Sequence, residues 1–190
     1  MSEPAVNRSS RIYLTGFMAS GKSTVGPILA NSLGYDFVDI DTMIEASQRK
    51  SVRHIFREQG EQYFRGLERE AIAALIKREN LVVALGGGAL TDPANLHMVA
   101  TTGILVYLKV PPEEILKRVQ HRADRPLLTG PEGEQLAPAE LRERVLALYA
   151  AREPLYSSAD IIVMADEQRL GLTVDKVMKL LARFLRTSPE

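Results

Sequence analysis

The chain has 190 residues, 45% hydrophobic and 25% charged, with 24 Lys plus Arg against 24 Asp plus Glu, which suits one globular domain with a sizeable core. Zero net charge argues against a general nucleic-acid binder, and the lack of cysteine excludes a disulfide framework, a thiolate metal site and a cysteine nucleophile. No apolar run approaches the roughly 20 residues of a membrane helix, and MSEPAVNRSS lacks a signal-peptide core. The expectation is therefore a disordered lead-in over 1–10, a single domain over 11–186 and a cytoplasmic location.

In chain order, RIYLT (11–15) reads as a short apolar strand running into Gly16. Helical spacing follows from Lys22 to Leu33 (Val25, Ile28, Leu29, Leu33), and Gly34 stops it. YDFVDID at 35–41 alternates as a second strand ending in two aspartates. Residues 42–48 and 51–59 read as short helices, the second N-capped by Ser51. Glu61 to Arg78 is a longer helix with Phe64, Leu67, Ala71, Leu75 and Ile76 at helical spacing. LVVAL (81–85) is a third strand, ending in Gly86, Gly87 and Gly88 rather than in a carboxylate. Asp92 caps, and Pro93 opens, a helix to about Ala100. A fourth strand at 103–110 precedes a helix from Pro111-Pro112 to about Gln120. Residues 121–136 read as a long irregular loop, of the length found in lids or disordered segments. A helix from Pro138 to Arg152, a strand at 160–164 and a helix at 170–186 close the chain. Apolar strands alternating with helices imply a parallel sheet covered on both faces.

The chemistry starts at Gly16-Phe17-Met18-Ala19-Ser20-Gly21-Lys22-Ser23, which is G-x-x-x-x-G-K-S, the P-loop. Its glycines let backbone N–H groups turn toward phosphate oxygens, the lysine reaches the β/γ-phosphates, and the serine hydroxyl suits Mg²⁺. The helix that follows turns its positive end to the same anion. Neither the N/T-K-x-D nor the D-x-x-G string of GTPases occurs. No later strand ends in a metal-binding acid, so Asp39, beside Ser23, is the candidate magnesium partner. Asp39 and Asp41 also suit the turn and cap before the next helix. Arg65 and Glu68 share one side of a helix, either at a cleft edge or as a solvated pair. Arg118, Arg122 and Arg125 stand on or before the long loop, where mobile arginines can stabilise transferring phosphate. On such a loop they could equally be surface residues. Arg152 is placed at a helix end, where the dipole favours a cation anyway.

The P-loop, DFVDID, GEQYFRGLE, ALGGGAL, RPLL and REPLY occur in that order, and together they closely resemble the shikimate kinases over about residues 11–165. The resemblance implies an α/β P-loop kinase fold of three α/β/α layers, related to adenylate kinase. It also implies a five-stranded parallel sheet, a substrate-binding region at about 40–80 and a mobile lid at about 121–136. The implied reaction moves the γ-phosphate of ATP to the 3-hydroxyl of shikimate, with Mg²⁺ as cofactor, in aromatic amino acid biosynthesis through chorismate. Shikimate and ATP are then the partners of a monomer that binds no nucleic acid and no membrane. Carried over, Ala19, Ser20, Gly21, Lys22, Ser23 and Thr24 wrap the ATP phosphates, with Ser23 and Asp39 serving Mg²⁺. Asp41 orients or deprotonates the attacking hydroxyl. Arg65 and Arg152 hold the substrate carboxylate, a task suited to the guanidinium fork, while Glu68 orients that site. Gly86, Gly87 and Gly88 bring backbone N–H groups to the substrate. Arg125 swings in with the lid, Arg118 lies against adenine, and Arg169 is a further adenine-side candidate. Lys22, Asp41 and Arg125 form the catalytic set. Ala19 is a departure, since glycine is common at that position, and GPEGEQLAP lengthens the lid. A gluconate or nucleotide kinase of the same fold and a non-catalytic ATP-binding scaffold are the competing readings.

Overall fold

A computed structural model describes residues 8–120, 128–129, 134, 136–165 and 170–185. Five parallel strands, β1 (Arg11–Thr15), β2 (Asp36–Asp39), β3 (Leu81–Ala84), β4 (Ile104–Lys109) and β5 (Ile161–Met164), lie in the order β2-β3-β1-β4-β5. Every pairing is parallel, so each connection crosses a face of the sheet and carries a helix. The alternation of side chains along the strands feeds two cores. Ile12, Leu14, Val82, Val106 and Leu108 face α1 (Lys22–Leu33) and α7 (Leu170–Leu185). Tyr13, Leu81, Val83, Leu105 and Tyr107 face the other layer. That layer comprises α2 (Ile40–Gln48), α3 (Val52–Leu75), α4 (Pro93–Thr102), α5 (Pro112–Val119) and α6 (Pro138–Tyr156). This is the three-layer α/β/α architecture expected from the apolar strands. Among the described residues no helix is long and apolar enough to cross a membrane.

Several boundaries differ from the expected ones for local reasons. The second strand covers only Asp36–Asp39, because the Asp39 carboxylate accepts from the backbone N–H groups of Asp41 (3.0 Å) and Thr42 (3.3 Å) and starts α2 at Ile40. Helices 51–59 and 61–78 join end to end as α3, broken at Gly60 (φ 82°), and α3 ends at Leu75. Ser51 caps α3 and Asp92 caps α4, as the sequence suggests. The third strand stops at Ala84, one residue short of the expected end. α6 does not end at Arg152 but continues through Pro154 to Tyr156. Pro154 and the side chain of Ala150, four residues before it, are exposed, so water can serve the carbonyl that proline leaves unbonded. The extra turn carries Tyr156 into the core. Arg8–Ser10, inside the expected lead-in, form a 3₁₀ turn, with Arg8 donating to the Gly103 carbonyl (3.0 Å) and paired with Asp160 (2.8 Å).

Candidate active site

The P-loop, Asp39, Asp41 and the three glycines follow the carboxyl ends of β1, β2 and β3, where an open parallel sheet places its ligands, and α3, α5 and α6 add side chains to them. After β1 the P-loop turns through Ala19, whose φ of 57° is left-handed and costs a non-glycine residue on the order of 1 kcal/mol. No side chain caps α1 at Gly21, which leaves the positive end of the helix open to an anion. Lys22 folds back over the loop and donates to the carbonyls of Gly16 (2.8 Å) and Phe17 (3.0 Å) and to Ser20 Oγ (3.3 Å). Ser23 Oγ donates to Asp39 Oδ2 at 2.6 Å. Asp39 therefore caps α2 with one oxygen and accepts from Ser23 with the other.

Beside this cradle lies a second pocket. Asp41, Arg65, Glu68, Gly86, Gly87, Gly88 and Arg152 line it, so every substrate-side residue named from sequence converges on one cavity. Met18, Val52, Phe56 and Phe64 supply apolar wall that the sequence reading left unassigned. Val52, Phe56 and Phe64 lie at helical spacing on α3, which carries no signal that separates pocket lining from packing, and Met18 is one of the unspecified positions of the P-loop. The phosphate cradle is lined by Met18–Thr24, Asp39, Asp41, Leu85 and Gly87. The two pockets thus share Met18, Asp41 and Gly87, and a group passing between them must pass these three residues.

Arg65 and Glu68 are not a solvated pair. Glu68 is fully buried, and its Oε2 accepts from Arg65 Nη1 at 2.8 Å, while Arg65 also pairs with Glu61 at 2.8 Å. Burial disfavours charge on Arg65, but the two glutamates outweigh it and hold its pKa above the ordinary value. Burial pushes the Glu68 carboxyl up from its usual 4.5, against the pull of Arg65, and Asp41 adds to the rise. Glu68 Oε1 is buried without a hydrogen-bond partner among the described residues. The folded chain thus holds this proton longer than the unfolded chain. The contribution to stability is full below about pH 4.5 and is lost as pH rises through the raised folded value. Glu68→Gln removes that loss, so the melting temperature of the variant, relative to wild type, should climb as pH is raised above 4.5. A constant difference across pH would show that Glu68 titrates as a free glutamate does.

The three glycines have a steric purpose that the sequence did not show. A Cβ on Gly86 would overlap the Glu68 carboxylate, and one on Gly88 would overlap the Arg65 guanidinium. A Cβ on Gly87 would come within 3.3 Å of the Met18 backbone N in the P-loop. The missing side chains thus make room for the charged pair and for close approach to the phosphate loop. On the far wall, Arg152 Nη1 donates to the Gly87 carbonyl at 3.2 Å, as does the Tyr156 hydroxyl. Tyr156 is a residue the sequence reading did not single out, although REPLY contains it. Arg118 reaches the loop from α5 and donates to the Ala19 carbonyl at 2.8 Å. Arg122, Arg125, Arg169 and most of the expected lid lie outside the described residues.

A phosphate-binding loop that shares walls with a small cavity lined by two arginines and an aspartate defines a P-loop kinase for a small anionic acceptor. The shikimate kinase family model matches residues 18–182. Shikimate kinase of Chlorobium phaeobacteroides is 48% identical over 93% of each chain, and that of Chlorobium chlorochromatii is 46% identical over 94% of each. Shikimate kinase from Acinetobacter baumannii, solved in complex with shikimate, superposes with a TM-score of 0.83 at 32% identity, covering 93% of this chain and 95% of that one. A gluconokinase from Sinorhizobium meliloti, at 19% identity and a TM-score of 0.58, shares the fold alone. The chain belongs to the shikimate kinase family, and it is an ATP-dependent phosphotransferase with an alcohol group as acceptor.

Proposed function

We propose that the two joined pockets transfer the γ-phosphoryl group of ATP to the 3-hydroxyl of shikimate, giving shikimate 3-phosphate and ADP. The observation that carries this division of labour is that Asp41 and Gly87 line both the phosphate cradle and the acceptor cavity. Phosphoryl transfer asks the protein mainly for positioning and charge stabilisation. In this reading Ala19 to Thr24 wrap the ATP phosphates, and Lys22 gives up its bonds to the loop carbonyls for the β/γ-oxygens. Asp41 accepts from the attacking hydroxyl and holds it in line. Arg65 and Arg152, from opposite walls, take the substrate carboxylate, and Glu68 fixes the guanidinium of Arg65. Gly86 to Gly88 form the floor beneath the ring. Arg118 serves the adenine side as well as the loop, with Arg169 as a second adenine-side residue. Arg125 reaches the phosphates from a lid at about 121–136, and the substrate-binding region spans about 40–80, all within a single domain over 11–186.

The donor set suits Mg²⁺: Ser23 Oγ and Asp39 Oδ2 are hard oxygens 2.6 Å apart at the phosphate cradle, the kind of partial set a nucleotide-bound Mg²⁺ uses while keeping several waters. When bound, the ion would neutralise charge on the phosphate oxygens. We propose a cytoplasmic monomer as the working form.

Product identity tests the reading. ³¹P NMR of a reaction with ATP should show a phosphate monoester on the 3-hydroxyl of shikimate, and a product esterified elsewhere would reject the assignment. The glycine floor has its own test. Gly88→Ala forces the Arg65 guanidinium aside, and displacement of about 1 Å costs up to ~100-fold in such sites. The KM for shikimate should rise at least about tenfold with the KM for ATP unmoved. An unchanged shikimate KM would remove Arg65 from the acceptor site.

A further inference from the structure

Tyr156 has no part in the reaction as set out above, yet it bonds a residue that lines both pockets. The phenol is buried at the end of α6, with its ring 5.2 Å from that of Tyr107. Its hydroxyl donates to the Gly87 carbonyl, which also accepts from Arg152 Nη1 at 3.2 Å. Gly87 is the middle glycine of the floor. It lines both pockets, and its Cα lies so close to the P-loop that a Cβ would stand 3.3 Å from Met18 N and 3.7 Å from the Gly16 carbonyl. The Gly87 peptide is therefore part of the wall common to the nucleotide side and the acceptor side, and two donors on α6 grip its oxygen.

The chemistry of the grip is directional. No peptide in the described residues is cis, so the Gly88 N–H points opposite the Gly87 carbonyl. Fixing the carbonyl toward α6 fixes that N–H on the side away from Tyr156. The neighbouring residue, Gly88, is packed against the Arg65 guanidinium. Burial pushes the Tyr156 phenol up to about 12, with Arg152 and Arg65 opposing, so the hydroxyl keeps its proton and stays a donor at neutral pH. Arg152 alone would hold the oxygen less firmly, because this arginine is also assigned to the substrate carboxylate.

We propose that Tyr156 is a positioning residue for phosphoryl transfer: through the Gly87 carbonyl it fixes the peptide that forms the common wall of the two pockets, and so the placement of the acceptor relative to the phosphate loop. It touches neither substrate. The inference rests on the assignment of shikimate to the cavity beside Gly86–Gly88. A role confined to packing predicts something different, because phenylalanine keeps the ring and its contact with Tyr107 and loses only the donor.

The test is Tyr156→Phe in the full chain, assayed by steady-state kinetics with both substrates, by calorimetric titration of shikimate, and by thermal melting. Loss of one buried hydrogen bond at a wall is expected to lower kcat/KM for shikimate about five- to tenfold. The KM for ATP should stay within about twofold, since the phosphate cradle keeps its own bonds. The calorimetric affinity for shikimate should fall by less than kcat/KM, because misplacement damages the transition state more than the ground state. Tyr156→Trp, if folded, should lower kcat/KM by at least as much, because its larger ring cannot restore the bond. A Tyr156→Phe enzyme with wild-type kcat/KM for shikimate, at whatever melting temperature, overturns the proposal. So does a rise in the KM for ATP as large as the fall in kcat/KM for shikimate. Wild-type enzyme that fails to turn over shikimate would instead reject the assignment of the cavity, before the variant is assayed.

Discussion

Lys22→Met should lower kcat on the order of 10³-fold or more while the protein stays folded. The ammonium is half-buried over the phosphate loop and donates to three loop oxygens, including the carbonyls of Gly16 and Phe17. Methionine fills similar volume but offers no charge. The loop carbonyls that lose their donor lie beside the open cradle, where water can reach them, so the stability loss should be modest, about 1–3 kcal/mol. The catalytic loss is larger because Lys22 is the residue placed to meet charge developing on the transferring group, where preorganised charge matters most. Lys22 lines the phosphate cradle and not the acceptor pocket, so shikimate affinity should be nearly unchanged. Kinetics with a circular dichroism spectrum of the variant check this, and substantial retained turnover would sink the phosphate-loop assignment.

Arg65→Ala should raise the KM for shikimate by about 10²-fold and move the KM for ATP by no more than about twofold. The side chain is 16% exposed and lies between Glu61 and Glu68, with two donors on the first and one on the second. Two effects must be separated. Alanine removes the group proposed to hold the substrate carboxylate, and it also strands Glu68, which is fully buried. Breaking a buried pair by removing one partner costs about 3–5 kcal/mol, lowered here by the nearby Arg152 cation and by protonation of Glu68, whose pKa already stands high. The double variant Arg65→Ala, Glu68→Gln resolves the two. It should regain much of the lost melting temperature without regaining shikimate affinity. Equal effects of Arg65→Ala on both substrates would argue against its place in the acceptor pocket.

The sheet was legible in the sequence because its three inner strands are apolar on both faces, and only a doubly covered parallel sheet needs that. The phosphate loop was legible because its residue types follow from phosphate geometry. The charged pair was less so. Arg65 and Glu68 at i and i+3 look the same on a solvated helix as in a cleft, and only their burial under Gly86 and Gly88 decides between them. The cap at Asp39 does not decide against the metal reading, since one of its oxygens caps α2 and the other meets Ser23. Pro154 suggested a helix end that its exposed position does not enforce, and that error kept Tyr156 out of the site. The glycines were expected to admit the substrate. What they admit in the structure is the side chains of Glu68 and Arg65, which periodicity along a chain cannot express, because the overlap is between residues 18 and 23 positions apart in sequence (Gly86 with Glu68, Gly88 with Arg65).

The central claim is that this pair of pockets couples ATP to one acceptor. ADP release, followed by a coupled assay with ATP and separately shikimate, gluconate and nucleoside monophosphates, tests it most directly. Rapid release with shikimate alone is the predicted result. Release with gluconate or a nucleotide in preference to shikimate, or with no acceptor in the panel, would contradict the account.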